Sequence, residues 1–225
     1  MIKKVVQIKE TLAKRYGVKS FDNRKDPLSE LIFTVLSQNT TDINRDRAYE
    51  SLKRSYPTWE DVAKTSSAKL ASTIKVGGLA KIKAVRILKM LRDIKNTHGH
   101  LNLGFLNDWT DNRIRDYLMK INGVGPKTAA CVLAFSLGRN VMPVDTHVRR
   151  VSTRLGILPA KTSDRTAHEY FGKFTEFICL YQFHLNLIEH GRKVCRARKP
   201  LCDKCFLKRS CNYYSEKNDK GRTED

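Results

Sequence analysis

The chain has 225 residues, of which 40% are hydrophobic and 29% charged, and this suffices for one or two small domains with a buried core. Its 43 lysines and arginines outnumber its 23 aspartates and glutamates, so its formal net charge is +20. This excess predicts a polyanionic partner that binds with salt-sensitive affinity, whereas a solvated basic surface is the plainer explanation. No run of about 18 apolar residues occurs, which excludes a helical membrane span.

The amino-terminal stretch Met1–Gly17 is basic and mildly apolar, but it lacks the apolar core and the cleavage site of a secretory signal peptide. Its apolar residues recur at helical spacing, so we predict a helix here. A mitochondrial presequence is the weaker alternative, because Glu10 is unusual in such a segment.

Residues 26–74 predict a series of short helices. Asp26 and Pro27 have the character of a helix cap and a first helical residue, and the helix they open ends at the polar run Ser37–Thr41. Thr58 and Asp61 have the spacing of a capping box. Further helices are predicted at about 45–54, 59–63 and 68–74.

The second half of the chain also predicts helices. A glycine pair at 77–78 precedes a long basic helix, and further helices are expected at about 148–155, 164–174 and 176–189. The polar tail 215–225 is predicted to be disordered. No alternating apolar run bounded by turns occurs, so the predicted fold class is all-α. The residues expected to share one face of the long basic helix are Ile82, Val85, Leu88 and Leu91.

Residues 118–147 combine a helix end, a tight turn and a second helix. The turn is Gly123-Val124-Gly125, and glycine lets the backbone turn sharply and exposes its N–H groups. These groups stand at the start of the next helix, where an anion is favoured, and a DNA phosphate fits that position. We therefore predict a helix-hairpin-helix motif in which Gly123, Val124 and Gly125 contact phosphate. The helical spacing rests on Ile114, Tyr117, Leu118 and Ile121 before the turn and on Ala130, Leu133, Ala134 and Leu137 after it.

Lys127 follows this turn behind Pro126, in the first turn of a helix, where the helix dipole disfavours a cation. An amine must be neutral to act as a nucleophile, so the placement suits a catalytic lysine. Phosphate contact is the plainer interpretation of the same residue. Asp145, in the run Val144–His147, has its own plain interpretation as the N-cap of a helix.

Four of the six cysteines cluster with the spacing C-x6-C-x2-C-x5-C. In a reducing cell, thiolates this close together bind a metal rather than form disulfides. Four thiolates suit zinc or an iron–sulfur cluster, and since only one short C-x2-C pair is present, the spacing leaves both open. The predicted ligands are Cys195, Cys202, Cys205 and Cys211.

Together these motifs closely resemble the endonuclease III family of helix-hairpin-helix (HhH-GPD) DNA glycosylases. The resemblance rests on GVGPKTA, on the aspartate of PVDTHVRR eighteen residues after Lys127, and on the cysteine loop between HGRKVC and CNYY. It covers about residues 21–213, which is most of the chain. It implies two helical domains with DNA in the cleft between them: a six-helix domain at 23–137, and a second domain made of 1–22 and 138–214.

The resemblance also implies the chemistry of the site. The lysine that matches Lys127 attacks C1′ of the deoxyribose, and the aspartate that matches Asp145 assists departure of the base and handles the proton of the amine. The match of the cysteine loop favours a structural [4Fe–4S] cluster over zinc. The cluster would hold the basic loop 192–209 in a shape that follows DNA phosphates. The contacts expected from this loop are Arg192, Arg198 and Lys199.

A base in duplex DNA must be flipped out before an amine can reach its sugar, and the gap that it leaves must be filled. By resemblance, Gln38 matches the glutamine that enters the DNA helix, although a shift of one residue would give this role to Asn39. Leu79 matches the apolar wedge of the family. The plainer interpretations are a loop hydrogen bond for Gln38 and a core position for Leu79. His147 is expected to reach the lesion pocket or the DNA backbone, with an ordinary helix-start histidine as the alternative.

The resemblance implies a bifunctional DNA glycosylase and AP lyase of base excision repair that acts on double-stranded DNA as a monomer. It would remove oxidised pyrimidines through a lysine Schiff base and cut 3′ to the lesion by β-elimination. Pro126, which stands where arginine is common, and the changes in Ser37–Asp42 leave specificity for thymine– or uracil–guanine mismatches open. An adenine mismatch glycosylase, a non-catalytic helix-hairpin-helix DNA-binding protein and an iron–sulfur electron carrier are further alternatives. Since no targeting signal is evident, we expect a cytoplasmic, nucleoid-associated location in a prokaryote, and a nuclear one otherwise.

Overall fold

The computed structural model describes residues 1–19 and 25–221, and within them all regular structure is helical. This part of the chain contains no strand, which confirms the predicted all-α class. Among its helices, none has the length and hydropathy of a bilayer-spanning segment. The α-helices are α1 (Ile2–Tyr16), α2 (Pro27–Leu36), α3 (Asp42–Ser55), α4 (Trp59–Lys64), α5 (Ser67–Thr73), α6 (Ala80–His98), α7 (Asp111–Lys120), α8 (Pro126–Cys131), α9 (Thr146–Arg154), α10 (Asp164–Phe171), α11 (Leu180–Lys193) and α12 (Asn212–Gly221).

The chain divides into two compact units. The central unit is Asn23–Arg139, and the terminal unit combines Met1–Asp22 with Asn140–Asp225. The central unit therefore ends at Arg139, where the sequence predicts residue 137. The other predicted boundary, between residues 22 and 23, lies outside the described residues, as do the last residues of the predicted tail, 222–225.

The central unit is built on α2, which is buried along almost its whole length and packs against α8. The helix begins at Pro27, and the Asp26 side chain accepts two backbone N–H groups of its first turn at 3.1 and 2.9 Å. At the start of α4, Thr58 and Asp61 form the predicted capping box. These local signals are therefore confirmed as helix starts.

The long helix α6 differs from its prediction. Its buried face carries Lys83, Ala84, Ile87, Met90 and Leu91, whereas Ile82 and Val85 are 58% and 57% exposed. The predicted face was wrong because a spacing of three residues drifts around a helix with about 3.6 residues per turn. Ile82 and Leu91 consequently lie on opposite sides of α6.

The terminal unit packs α1 and α9 against α11 around one apolar core. Helix α11 begins and ends four residues later than the predicted 176–189. The shift has a local cause, because the turn before α11 is held by Asn140. Its side-chain amide donates to the carbonyls of Thr175 and Ile178 at 2.8 and 3.1 Å, and its oxygen accepts the Leu180 N–H at 2.7 Å.

Helix α12 replaces most of the predicted disordered tail. It begins at Asn212, directly after Cys211, and continues to Gly221, so the prediction of disorder was wrong for residues 215–221. Near its start the Ser215 N–H donates to the carbonyl of Cys211 at 3.2 Å, and Lys4 of α1 donates to the Asn212 side chain at 2.9 Å. Tyr213 adds a further contact, since the guanidinium of Arg154 lies 4.7 Å from its ring centre, so the first turn of α12 is anchored to the rest of the unit.

Candidate functional site

The hairpin has the geometry that its two glycines predict. Gly123 has a φ of 83°, in the left-handed region that glycine adopts without strain. The N–H of Val124 donates to the carbonyl of Ile121 at 3.1 Å, and the Val124 side chain is buried, so the turn is anchored from inside. Gly125 caps α8, and Pro126 is the first residue of that helix. The backbone of the turn therefore stands at a helix N-terminus, as anion binding requires.

Lys127 is the second residue of α8 and is half-buried. Its surroundings contain two buried acidic groups that sequence reasoning missed. Burial raises the pKa of Glu30 on α2 to about 7, and Lys25, Thr34 and Lys127 oppose this rise. Burial raises the pKa of the Cys131 thiol to about 11, and Lys127 again opposes it. A carboxylate within the apolar stretch of α2 was the available signal for Glu30.

The helix after the hairpin is not regular. Following Cys131 the chain forms a π-helical turn at Val132–Ser136, in which the N–H of Leu137 donates to the carbonyl of Val132 at 3.1 Å. The sequence predicts an ordinary helix here, because a π turn leaves the apolar pattern nearly unchanged. Such turns are rare and frequently occur at functional sites.

Asp145 is the N-cap of α9, as its plain interpretation predicts. Its Oδ1 accepts the backbone N–H of Val148 at 2.7 Å, which fixes the orientation of the carboxylate and leaves Oδ2 outside that bond. His147 is half-buried, and its Nδ1 lies 3.0 Å from Nη2 of Arg150. The same Arg150 nitrogen donates to the carbonyl of Gly191 at 3.0 Å, so His147 belongs to a network that ties α9 to α11.

The two predicted gap-filling loops lie in the central unit. Gln38 is half-buried, and its Oε1 accepts a hydrogen bond from Nη1 of Arg86 at 2.5 Å. Asn39 is exposed and has a φ of 51°. Leu79 has a φ of 49°, and its side chain is 50% exposed rather than in the core. The structure thus directs Asn39 and Leu79 outward and engages Gln38 within the protein.

The four clustered cysteines line one cavity of the terminal unit, together with Arg154, His190 and the apolar side chains of Val151 and Leu155. All four are free thiols. Three sulfurs have polar neighbours: Nη1 of Arg154 lies 3.5 Å from Sγ of Cys195, Nε2 of His190 lies 3.6 Å from Sγ of Cys205, and Sγ of Cys211 lies 3.3 Å from the carbonyl of Arg154. Burial, together with a smaller contribution from the other three thiols, raises the pKa of Cys205 to about 11. An all-sulfur donor set of this kind fits zinc or an iron–sulfur cluster.

The basic loop 192–209 is held by arginines that are not part of it. Nε of Arg150 donates to the carbonyl of Cys195 at 3.0 Å. The guanidinium of Arg154 donates to the carbonyls of Arg196 and Ala197 at 2.7 and 3.1 Å. These bonds hold the backbone of the loop, and two of the loop's own cations also have partners: Lys193 pairs with Glu189 at 2.7 Å, and Nζ of Lys208 donates to the carbonyl of Asp203 at 3.3 Å. The exposed residues predicted to contact DNA are Arg192, Arg198 and Lys199, and Lys199 has a φ of 50°.

The chain is similar to known proteins along most of its length. A family profile described as "HhH-GPD superfamily base excision DNA repair protein" matches residues 32–176. A putative DNA glycosylase of Arabidopsis thaliana is 44% identical over 138 residues, which is 61% of this chain but only 47% of that relative. Endonuclease III of Thermotoga maritima is 35% identical over 189 residues, which is 84% of both chains.

Solved structures give the same result. A non-covalent endonuclease III–DNA complex superimposes with a TM-score of 0.80 at 27% identity, and it covers 97% of this chain and 99% of its own. A trapped covalent endonuclease III–DNA intermediate gives a TM-score of 0.78 at 28% identity, with the same coverage.

Proposed function

This chain belongs to the HhH-GPD superfamily of base excision DNA repair proteins, and we propose that it uses Lys127 and Asp145 to remove oxidised pyrimidines from duplex DNA. It is a DNA glycosylase with AP lyase activity, like the endonuclease III proteins to which it is similar. The observation that carries the assignment of residues is the position of Lys127. This residue directly follows a phosphate-binding turn, so DNA that docks on the turn brings a sugar to the amine.

In the proposed reaction, the neutral amine of Lys127 attacks C1′ of the deoxyribose. The new N–C1′ bond forms as the glycosidic bond breaks, and the base leaves with the electron pair and then takes up a proton. Opening of the sugar ring gives a Schiff base on Lys127. Loss of a proton from C2′ then expels the 3′-phosphate, which cuts the strand 3′ to the lesion.

Asp145 is proposed to accept the proton that the amine loses. Its cap bond to Val148 engages Oδ1 and holds the side chain in one orientation. Oδ2 is then the oxygen that serves the reaction. A carboxylate fixed in this way is pre-organised, so it assists the reaction without a cost for ordering a free side chain.

Binding of the duplex is proposed to use both units. The turn Gly123–Val124–Gly125 receives one phosphate through the N–H groups of Gly123 and Gly125, because the N–H of Val124 already donates to Ile121, and the exposed Arg192, Arg198 and Lys199 follow the backbone further along. Leu79 acts as the wedge. Asn39, rather than Gln38, fills the gap left by the flipped base, since Asn39 is exposed and Gln38 is bound to Arg86. His147 contacts the DNA backbone beside Asp145.

The cysteine cavity is proposed to hold a [4Fe–4S] cluster on Cys195, Cys202, Cys205 and Cys211. When bound, the cluster supplies a four-point cross-link for a loop that has little core of its own. The protein residues Arg150 and Arg154 complete the support through the backbone carbonyls. We further propose that the protein acts as a monomer, associated with the nucleoid in a prokaryote or located in the nucleus otherwise.

Borohydride trapping tests this proposal. The wild type and Lys127→Gln are incubated with a duplex that carries one thymine glycol, with an abasic duplex, and with a thymine–guanine mismatch. We expect a covalent complex with the wild type on the first two duplexes and none with Lys127→Gln. A complex on the mismatch but not on thymine glycol would move the substrate to mismatches, and no complex on any duplex would overturn the lyase assignment.

A further inference from the structure

Lys83 is a buried cation that no part of the proposed chemistry uses. Its side chain lies on α6 and is only 2% exposed. Nζ donates to the carbonyl of Leu36 at 2.7 Å and to the carbonyl of Gly77 at 2.8 Å. Leu36 is the last residue of α2, and Gly77 ends the short turn before Leu79. A single ammonium thus joins the carbonyl that precedes the 37–41 loop to the carbonyl of Gly77, the first residue of the 77–80 loop.

Arg86 lies one turn later on α6 and makes two further connections. Nη1 donates to Oε1 of Gln38 in the 37–41 loop. Its aliphatic stem packs against the hairpin so closely that a Cβ on Gly123 would lie 2.7 Å from Cδ of Arg86. We call the segments 37–41, 77–80 and 122–126 the contact loops. The first turns of α6 touch all three.

Two contact loops carry an unfavourable backbone conformation at their exposed residue. Asn39 and Leu79 have φ values of 51° and 49°, a left-handed conformation that is unfavourable for residues other than glycine, and more so for leucine than for asparagine. Leucine has no polar side-chain group that could offset this unfavourable conformation through a local hydrogen bond. The conformation must therefore be imposed from outside, and the hydrogen bonds of Lys83 lie three residues before Asn39 and two before Leu79.

We propose that Lys83 and Arg86 are positioning residues that hold Asn39 and Leu79 in the geometry that enters the DNA helix. The inference rests on the proposed function of these two residues as gap filler and wedge. It predicts that loss of either cation impairs steps that need a flipped nucleotide in duplex DNA. Strand cleavage at an abasic site in single-stranded DNA needs no wedge, so it should survive.

The test compares two single-turnover rates for each variant: base excision from a duplex with one thymine glycol, and cleavage of a single strand with one abasic site. Lys83→Met and Arg86→Gln are the test variants, and Lys89→Met and Arg92→Gln remove exposed charges from the same helix. We expect the ratio of duplex to single-strand rate to fall about 10- to 100-fold in the test variants, because small displacements of a reacting group have effects of this size. A ratio within about twofold of wild type would overturn the proposal.

A double-mutant cycle separates positioning from general destabilisation. Lys83 binds the loop of the wedge and Arg86 binds the loop of the gap filler, so Leu79→Ala should add little to Lys83→Met and Asn39→Ala should add little to Arg86→Gln, whereas independent effects would multiply. Should Lys83→Met fail to fold in a thermal melt, the half-buried Arg86→Gln decides the outcome, and multiplied effects there would contradict the inference. A wild type that cleaves neither substrate would instead refute the proposed function.

Discussion

The contact loops of the central unit and the basic loop of the terminal unit are held in place by the same kind of hydrogen bond. In both regions, cations of a neighbouring helix donate to loop carbonyls. The central unit uses Lys83 of α6, which binds the carbonyl just before one contact loop and the first carbonyl of another. The terminal unit uses Arg150 and Arg154 of α9, which bind three carbonyls of the basic loop.

What the two regions expose is different. The contact loops present an amide and an apolar side chain, those of Asn39 and Leu79, whereas the basic loop presents guanidinium and ammonium groups. Some of the cations that make up the net charge of +20 therefore bind backbone carbonyls of the protein itself. Whether a cation of this protein can bind phosphate therefore depends on the group that it already contacts, and not only on its presence in the sequence.

Loss of the metal should affect the basic loop most strongly. In Cys202→Ser a hydroxyl replaces a thiolate, and we expect loss of bound iron and about a tenfold or larger loss of DNA affinity, because several phosphate contacts disappear together. Hydrogen exchange should rise in 192–209 and stay low in the contact loops. Cys179→Ser, at an exposed cysteine outside the cavity, is the control. Unchanged affinity in an iron-free Cys202→Ser protein would contradict this role of the loop.

The buried acid of the central unit should make stability depend on pH. The folded-state pKa of Glu30 is about 7 against an ordinary 4.5, so the folded state binds more protons between these values and becomes less stable as pH rises through them. Glu30→Gln should remove this loss, so its free energy of unfolding relative to wild type should rise by at most about 3 kcal/mol between pH 4 and pH 8. Urea unfolding of the wild type and the variant at both pH values measures this change, and Glu50→Gln, at an exposed position, is the control. An identical pH dependence in wild type and Glu30→Gln would contradict the assignment.

Removing one supporting arginine should loosen the basic loop without unfolding the unit. Arg154→Ala deletes two hydrogen bonds to loop carbonyls and the stacking of its guanidinium on Tyr213, at 4.7 Å from the ring centre. We expect a loss of roughly 1.5–3 kcal/mol in the free energy of unfolding. Arg165→Ala, at an exposed position of α10, should change it little. Equal effects from both substitutions would mean that Arg154 does not support the loop.

The smallest effects should come from single exposed cations. Arg198→Ala should lower the slope of log affinity against log salt concentration by about 1 and weaken binding equally for damaged and undamaged duplexes. Leu79→Ala, in contrast, should leave the salt slope unchanged and reduce excision from duplex DNA. Filter binding at several salt concentrations distinguishes them. A lower salt dependence of DNA affinity in Leu79→Ala would contradict the proposed difference between the two regions.

Sequence patterns predicted the parts of the molecule that depend on local chemistry. The cap at Asp26, the capping box at Thr58 and the glycine turn at 123–125 need only neighbouring residues, and the structure has all three. The patterns failed where distant residues decide. The buried face of α6 includes Lys83, and its charge is tolerated only because carbonyls from two other segments reach it.

Other features of the site had weak signals or none. The left-handed backbone of Leu79 cannot be read from its residue type, because leucine rarely adopts it, and asparagine, which adopts it more often, gives only a weak signal at Asn39. The helix after Cys211 depends on anchoring contacts rather than on composition. The sequence predicted Gln38 as gap filler and left a shift of one residue to Asn39 open, and our proposal of Asn39 is based on the bond from Arg86 to Gln38 and on the exposure of Asn39.

The central claim is that Lys127 forms the covalent bond to DNA, and the site of that bond can be measured directly. The borohydride-trapped complex on a thymine glycol duplex is digested with protease and nuclease, and the modified peptide is sequenced by mass spectrometry. We expect a deoxyribose remnant on the Nζ of Lys127 and on no other residue. A remnant on any other lysine, or on the amino terminus, would contradict it.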